Sequence, residues 1–99
     1  MYNDLADAVE SMKEKGFTHT YEIKDDVISC RELERNFKAD ELTIMDSYSQ
    51  EAGTDPGSES TVYSIESNDG VKGTLIIGFG IYSNPQKAKL IDKLLESSN

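Results

Sequence analysis

The chain has one cysteine, one histidine, two prolines and no tryptophan, and its longest run of bulky aliphatic residues is Leu75-Ile76-Ile77. Each scarcity excludes something. The single thiol, Cys30, forms no internal disulfide, which agrees with a reducing compartment. The single histidine, His19, stands without a Cys-x-x-Cys or His-Glu-x-x-His spacing, so a histidine-rich zinc site is excluded. Three aliphatic residues in a row are far too few to cross a bilayer. The opening "MYNDLADAVESM" carries acids where a signal peptide carries basic residues. A cytoplasmic protein with no membrane partner is therefore expected.

Positive charge is also short. Ten basic against 19 acidic side chains give a net charge of -9, a poor match to a nucleic-acid backbone or an anionic membrane. No nucleic-acid partner is expected, and only Lys87, Lys89 and Lys93 would make a local basic stripe. The acidic excess is spread along the chain and reads as a solvated surface. A length of 99 residues fits one domain, 1–99, able to bury a modest core without disulfides or a structural metal.

What is present is strong periodicity. Leu5, Ala8, Val9 and Met12 share one face of a helix over 4–15, capped by Asn3 or Asp4 and stopped at Gly16. Phe17, His19, Tyr21 and Ile23 then alternate with polar residues as a half-buried strand. Lys24-Asp25-Asp26 turns the chain, and Val27 to Cys30 returns as an antiparallel partner. The segment 31–41 is the least legible; Leu33 and Phe37 are its bulky anchors, and 38–41 has the composition of a helical turn.

A strand over 42–49 would place Leu42, Ile44, Asp46 and Tyr48 on one side. "EAGTDPGSES" follows as a loop, longer than a tight hairpin needs and so a place to look for function. The clearest unit is a hairpin whose strands, Thr61 to Glu66 and Val71 to Tyr82, meet at Asn68-Asp69-Gly70. In its second strand Val71, Gly73, Leu75, Ile77, Phe79 and Ile81 form a core face. Ile76 and Tyr82 flank Gly78 and Gly80 on the other, where bare backbone admits another element or a ligand. Ser83-Asn84-Pro85 opens a last helix with a stripe of Ala88, Ile91, Leu94 and Leu95.

The expected fold class is α+β: a mostly antiparallel sheet of four or five strands, covered on one face by the N- and C-terminal helices. The uncovered, glycine-notched face would then be a dimer surface or the floor of a shallow pocket.

Catalytic signals are weak. Cys30 has Arg31 and Arg35 nearby, but Glu32 and Glu34 oppose them, and a lone cysteine more often packs as a small apolar residue. Asp25, Asp26, Asp40, Asp46, Asp55, Glu66 and Asp69 show no metal-ligand spacing; Asp55 and Asp69 are accounted for by their turns. The glycine patterns match neither G-x-G-x-x-G nor Gly-Lys-Ser/Thr. No catalytic residue, metal ligand or cofactor follows from the residues. The ligand or interface candidates are Asp55, Tyr63, Lys72, Ile76, Gly78, Gly80 and Tyr82.

Asp55-Pro56, Val62-Tyr63, Asp69-Gly70, Lys72-Gly73 and the strand-ending Tyr82, with "KGFTHTYEIKDDVISC" upstream, resemble a family of small Bacteroidota proteins of about this length. Members are often labelled phosphoribosylpyrophosphate synthetase. The resemblance implies a shared small fold. It carries no catalytic residue across, because Asp25-Asp26 is followed by "VISC" where the long enzymes of that name have a ribose-phosphate loop.

Three functions are therefore weighed. The leading one is a small interaction or self-association domain without catalysis, with a homodimer or another protein as partner. The next is a small-molecule or nucleotide-binding regulator. The last is an enzyme of phosphoribosyl pyrophosphate metabolism, resting on the family label alone.

Overall fold

The computed structural model describes residues 4–24, 27–50, 60–78 and 84–97. The Asp25-Asp26 turn, the loop holding Asp55, and Phe79 to Tyr82 lie outside the described residues. The elements in order are α1 (Leu5–Glu14), β1 (His19–Lys24), β2 (Val27–Cys30), β3 (Arg35–Phe37), a single 3₁₀ turn (Ala39–Glu41), β4 (Leu42–Gln50), β5 (Ser60–Ser67), β6 (Lys72–Gly78) and α2 (Pro85–Ser97). The class is α+β, as expected: a mixed, mostly antiparallel sheet flanked by an N-terminal and a C-terminal helix. The sheet has six strands among the described residues, because β3 arises in the segment whose short apolar content hid it.

The strand order is β3-β2-β1-β6-β5-β4, so the two central strands, β1 and β6, come from opposite ends of the chain. They pair in parallel over His19–Gly73, Thr20–Thr74 and Tyr21–Leu75, while every other neighbouring pair is antiparallel.

Local chemistry sets the element ends. Asp4 Oδ1 accepts the Asp7 N–H at 2.8 Å and caps α1, and Gly16 then takes a φ of 104° that few other residues tolerate. Asn84 Oδ1 accepts the Gln86 and Lys87 N–H groups at the start of α2, with Pro85 at its first position. Gly70, with φ of 88°, closes the β5–β6 hairpin.

Burial follows strand parity. Leu75, Ile77 and Ile65 pack with Tyr21, Ile28, Cys30 and Phe37 under Leu90, Ile91 and Leu94 of α2. This is the core face expected for β6. Helix α1 instead brings Ala8 and Met12 onto Val62, with Phe17 and Tyr48 beside them. Val62 and Ile65 have opposite parity in β5, whose register with β6 is unbroken, so each helix covers its own set of β5 side chains. A register shift in β4 between Ile44 and Asp46 has the matching effect. Leu42 and Ile44 join the α2 core and Tyr48 the α1 cluster, where unbroken alternation had put all three on one side. Leu33, expected as an anchor, is exposed, whereas Phe37 is buried.

The far edge is tied back by polar contacts. Arg35 at the start of β3 bonds the Asp69 carboxylate in the β5–β6 turn, and the Ser67 hydroxyl donates to the same carboxylate. Both contacts hold Asp69 below its usual 3.8, the Ser67 hydroxyl first and the Arg35 bond second. A carboxylate whose pKa is lowered in the folded state stabilises the fold above its unfolded pKa and loses that contribution as pH falls through the lowered value. Melting temperature of the wild type should therefore drop more steeply below about pH 4 than that of Asp69→Asn. Parallel acid limbs for the two proteins would show the network to be energetically idle.

Candidate functional site

The candidate site follows from the one parallel contact. Strands β1 and β6 stay paired only as far as Tyr21 and Leu75, and beyond that point they part, β1 pairing with β2 alone and β6 with β5 alone. Adjacent parallel strands whose chains leave in different directions open a crevice at their carboxyl ends. Here a crevice of about 450 Å³ lies between Thr20 to Ile23 of β1 and Thr74 to Ile76 of β6, with Arg31 and Lys87 completing its wall.

Ile76 stands at this crevice with 53% of its surface exposed, the most exposed large aliphatic of the sheet's interior strands. Its neighbour of the same parity, Thr74, is buried and lies across from the buried Ser64. Helix α1 packs on Val62, the cross-strand partner of Ile76, while Ile76 and Gly78 themselves remain exposed. A Cβ built on Gly78 meets nothing within 4 Å. The required glycine is Gly73: a Cβ there falls 2.6 Å from the His19 carbonyl oxygen. Close approach of backbone, expected at Gly78, is thus observed five residues earlier on the opposite face of β6, where β1 docks; Gly80 lies outside the described residues.

The charges around the crevice are mostly engaged. Arg31 bonds Glu22 at 3.1 Å and Lys24 lies 3.5 Å from the same carboxylate. The Arg31 bond is the main cause holding Glu22 below its ordinary range. Glu32 accepts the Thr20 N–H at 2.7 Å, which chiefly lowers its own pKa and ties the turn after β2 to the crevice wall. Lys87, half-buried, is the cation that α2 contributes, set apart from exposed Lys89 and Lys93 on the helix. The three lysines do not make a single stripe.

The other candidates are accounted for individually. Tyr63 is half-buried against the α2 core. Lys72 lays its ammonium 5.6 Å from the centre of the Phe17 ring, and its carbonyl accepts from His19 Nδ1 at 3.0 Å. His19 is therefore a strand-pairing residue. Tyr21 donates its hydroxyl to the Val71 carbonyl at 2.8 Å, and burial pushes its pKa up to about 12. Cys30 is buried in the core. Among the described residues no three histidine, cysteine, aspartate or glutamate side chains gather as a metal site. Asp55, Gly80 and Tyr82 lie outside the described residues, so Ile76 is the candidate that the structure places at the crevice.

Sequence reasoning missed Thr20, Glu22, Arg31, Thr74 and Lys87. Period-two alternation put Thr74 and Ile76 on one face, but only the pairing of β1 with β6 brings the remaining residues to them.

A scan against protein-family models, a search of curated proteins and a search of solved structures each returned no match to this chain. The functional reading therefore rests on the geometry. Among the described residues no helix is long and apolar enough to cross a membrane.

Proposed function

We propose that this is a small binding domain without a catalytic step of its own, and that it works by contact with a protein, a second copy of itself included, at the crevice where β1 and β6 part. The observation that carries this reading is the exposure of Ile76 on a central strand beside uncovered Gly78. Central strands normally bury their large aliphatics, and an uncovered one is a candidate contact point. The groups with the most reactive chemistry are meanwhile committed to structure: His19 to a strand carbonyl, Cys30 to the core and Tyr21 to Val71.

A net charge of -9 on each chain opposes self-association, so such a dimer would be apolar at its centre and would tighten with added salt. Native mass spectrometry and sedimentation at two salt concentrations test this. The expected result is a dimer, or a retained protein mass, that Ile76→Glu weakens about tenfold or more while Met45→Glu, an equally exposed site on β4, leaves it intact. A bare monomer at all concentrations would overturn self-association and leave only a different protein as partner.

A second reading is a small polar molecule held in the crevice. The Thr20 and Thr74 side chains together with Lys87 favour it. It predicts a stoichiometric extra mass on the monomer, lost in Lys87→Gln. The family label of phosphoribosylpyrophosphate synthetase, suggested by the sequence resemblance, gains no residue from this geometry and is the weakest proposal.

A further inference from the structure

A larger groove lies away from the crevice, between α2 and the 3₁₀ turn, with a volume of about 600 Å³. Val27, Ala39 and Leu90 supply its apolar floor, and Ala39 and Leu90 are themselves buried. Lys38 and Asp40 border it on one side and Lys93 and Glu96 on the other. Each side thus brings one cation and one carboxylate. None of these four charges is engaged in an ion pair among the described residues, where the three pairs present all involve other groups.

Among the described residues, two lysines and two carboxylates line the groove and sum to zero, on a molecule whose charge is -9. A simple anion would meet both carboxylates as well as both lysines, and a simple cation the reverse. A ligand that carries both charges on one end and an apolar body on the other would satisfy a cation and a carboxylate of the groove while covering its floor. We infer that this groove binds a free α-amino acid with an apolar side chain, its carboxylate toward a lysine and its ammonium toward Asp40 or Glu96. The site is separate from the β1/β6 crevice, so the proposal stands or falls independently of the one above.

The test is a ¹H–¹⁵N correlation titration of the full chain with L-leucine. Expected are saturable shifts centred on Ala39, Asp40, Leu90 and Lys93 with a Kd of about 1 mM or tighter. N-acetyl-leucine, which lacks the ammonium, and leucinamide, which lacks the carboxylate, should each bind about tenfold more weakly. Lys93→Gln and Asp40→Asn alter exposed side chains, leave the fold intact, and should each weaken leucine binding by a similar factor. Three results would overturn the assignment: no saturable shift up to about 20 mM, equal binding of the capped analogues, or shifts gathered instead at Thr74 and Ile76.

Discussion

Gly73→Val is expected to lose about 3 kcal/mol of folding stability or more, since forcing bulk into a closed site costs about 1–3 kcal/mol where neighbours can shift. Here they cannot shift freely. A Cβ on Gly73 would sit 2.6 Å from the His19 carbonyl oxygen, 2.9 Å from its carbonyl carbon and 2.9 Å from the Tyr21 ring. Two of those three atoms are backbone, and the backbone belongs to the strand that pairs with β6 through His19–Gly73 itself. Relief therefore means prising β1 from β6, which separates the β3-β2-β1 half of the sheet from the β6-β5-β4 half. A domain of this size has only about 5–15 kcal/mol in total, so the variant should show a clearly lowered urea midpoint. Gly78→Ala is the matched control. It lies in the same strand, meets nothing within 4 Å, and should change stability by no more than about 0.5 kcal/mol. An unchanged midpoint for Gly73→Val would mean that the central parallel pairing is not as tight as described.

Phe37→Ala is the second large effect, expected at about 3–5 kcal/mol from lost burial and the cavity left behind. Phe37 is almost fully buried, meets the Tyr21 ring edge-on with centroids 5.7 Å apart, and carries the Arg35 guanidinium 4.5 Å above its own ring. Because β3 has only three residues and pairs with β2 alone, Phe37 is its main anchor. Its removal should also loosen Arg35 from Asp69, so amide exchange in 35–37 should accelerate beyond the global effect. Leu33→Ala, at the other bulky apolar residue of the segment, should cost almost nothing because Leu33 is largely exposed. Equal losses for the two variants would contradict the placement of β3.

That pair also illustrates what a sequence of this kind can and cannot reveal. Leu33 and Phe37 look alike as apolar anchors in an otherwise polar stretch, since neither belongs to a periodic run. What separates them is that Phe37 pairs with Ile28 and so faces the α2 core, whereas Leu33 lies in the turn between β2 and β3. The same limit applied to β4. One inserted residue near Met45 reverses the parity of everything after it, and composition carries no mark of the insertion. The reversal matters because it turns Tyr48 toward α1 and lets the N-terminal helix find a surface of its own.

The candidate site was legible in one residue. Ile76 is conspicuous as an aliphatic on the polar side of a strand, a conflict that alternation exposes without any coordinates. Its surroundings were not legible, because Thr20, Arg31 and Lys87 are distant in the chain and each is ordinary in its own segment. The α2 groove was less legible still: Lys38, Asp40, Lys93 and Glu96 read as solvated charge until the 3₁₀ turn and the helix are set side by side.

By itself the sequence determined the two helices and their caps, the β1–β2 and β5–β6 hairpins, and the apolar face of β6. These depend on spacing of 2 and 3.6 residues and on turn chemistry, all of which act within a few positions of the chain. Only the tertiary structure decided that β1 lies beside β6 in parallel, that each helix takes its own set of side chains, and that a crevice stays open where β1 and β6 part and a groove between α2 and the 3₁₀ turn. Those outcomes depend on which distant surfaces exclude water together and on backbone clearances such as that at Gly73, and neither is encoded in local order.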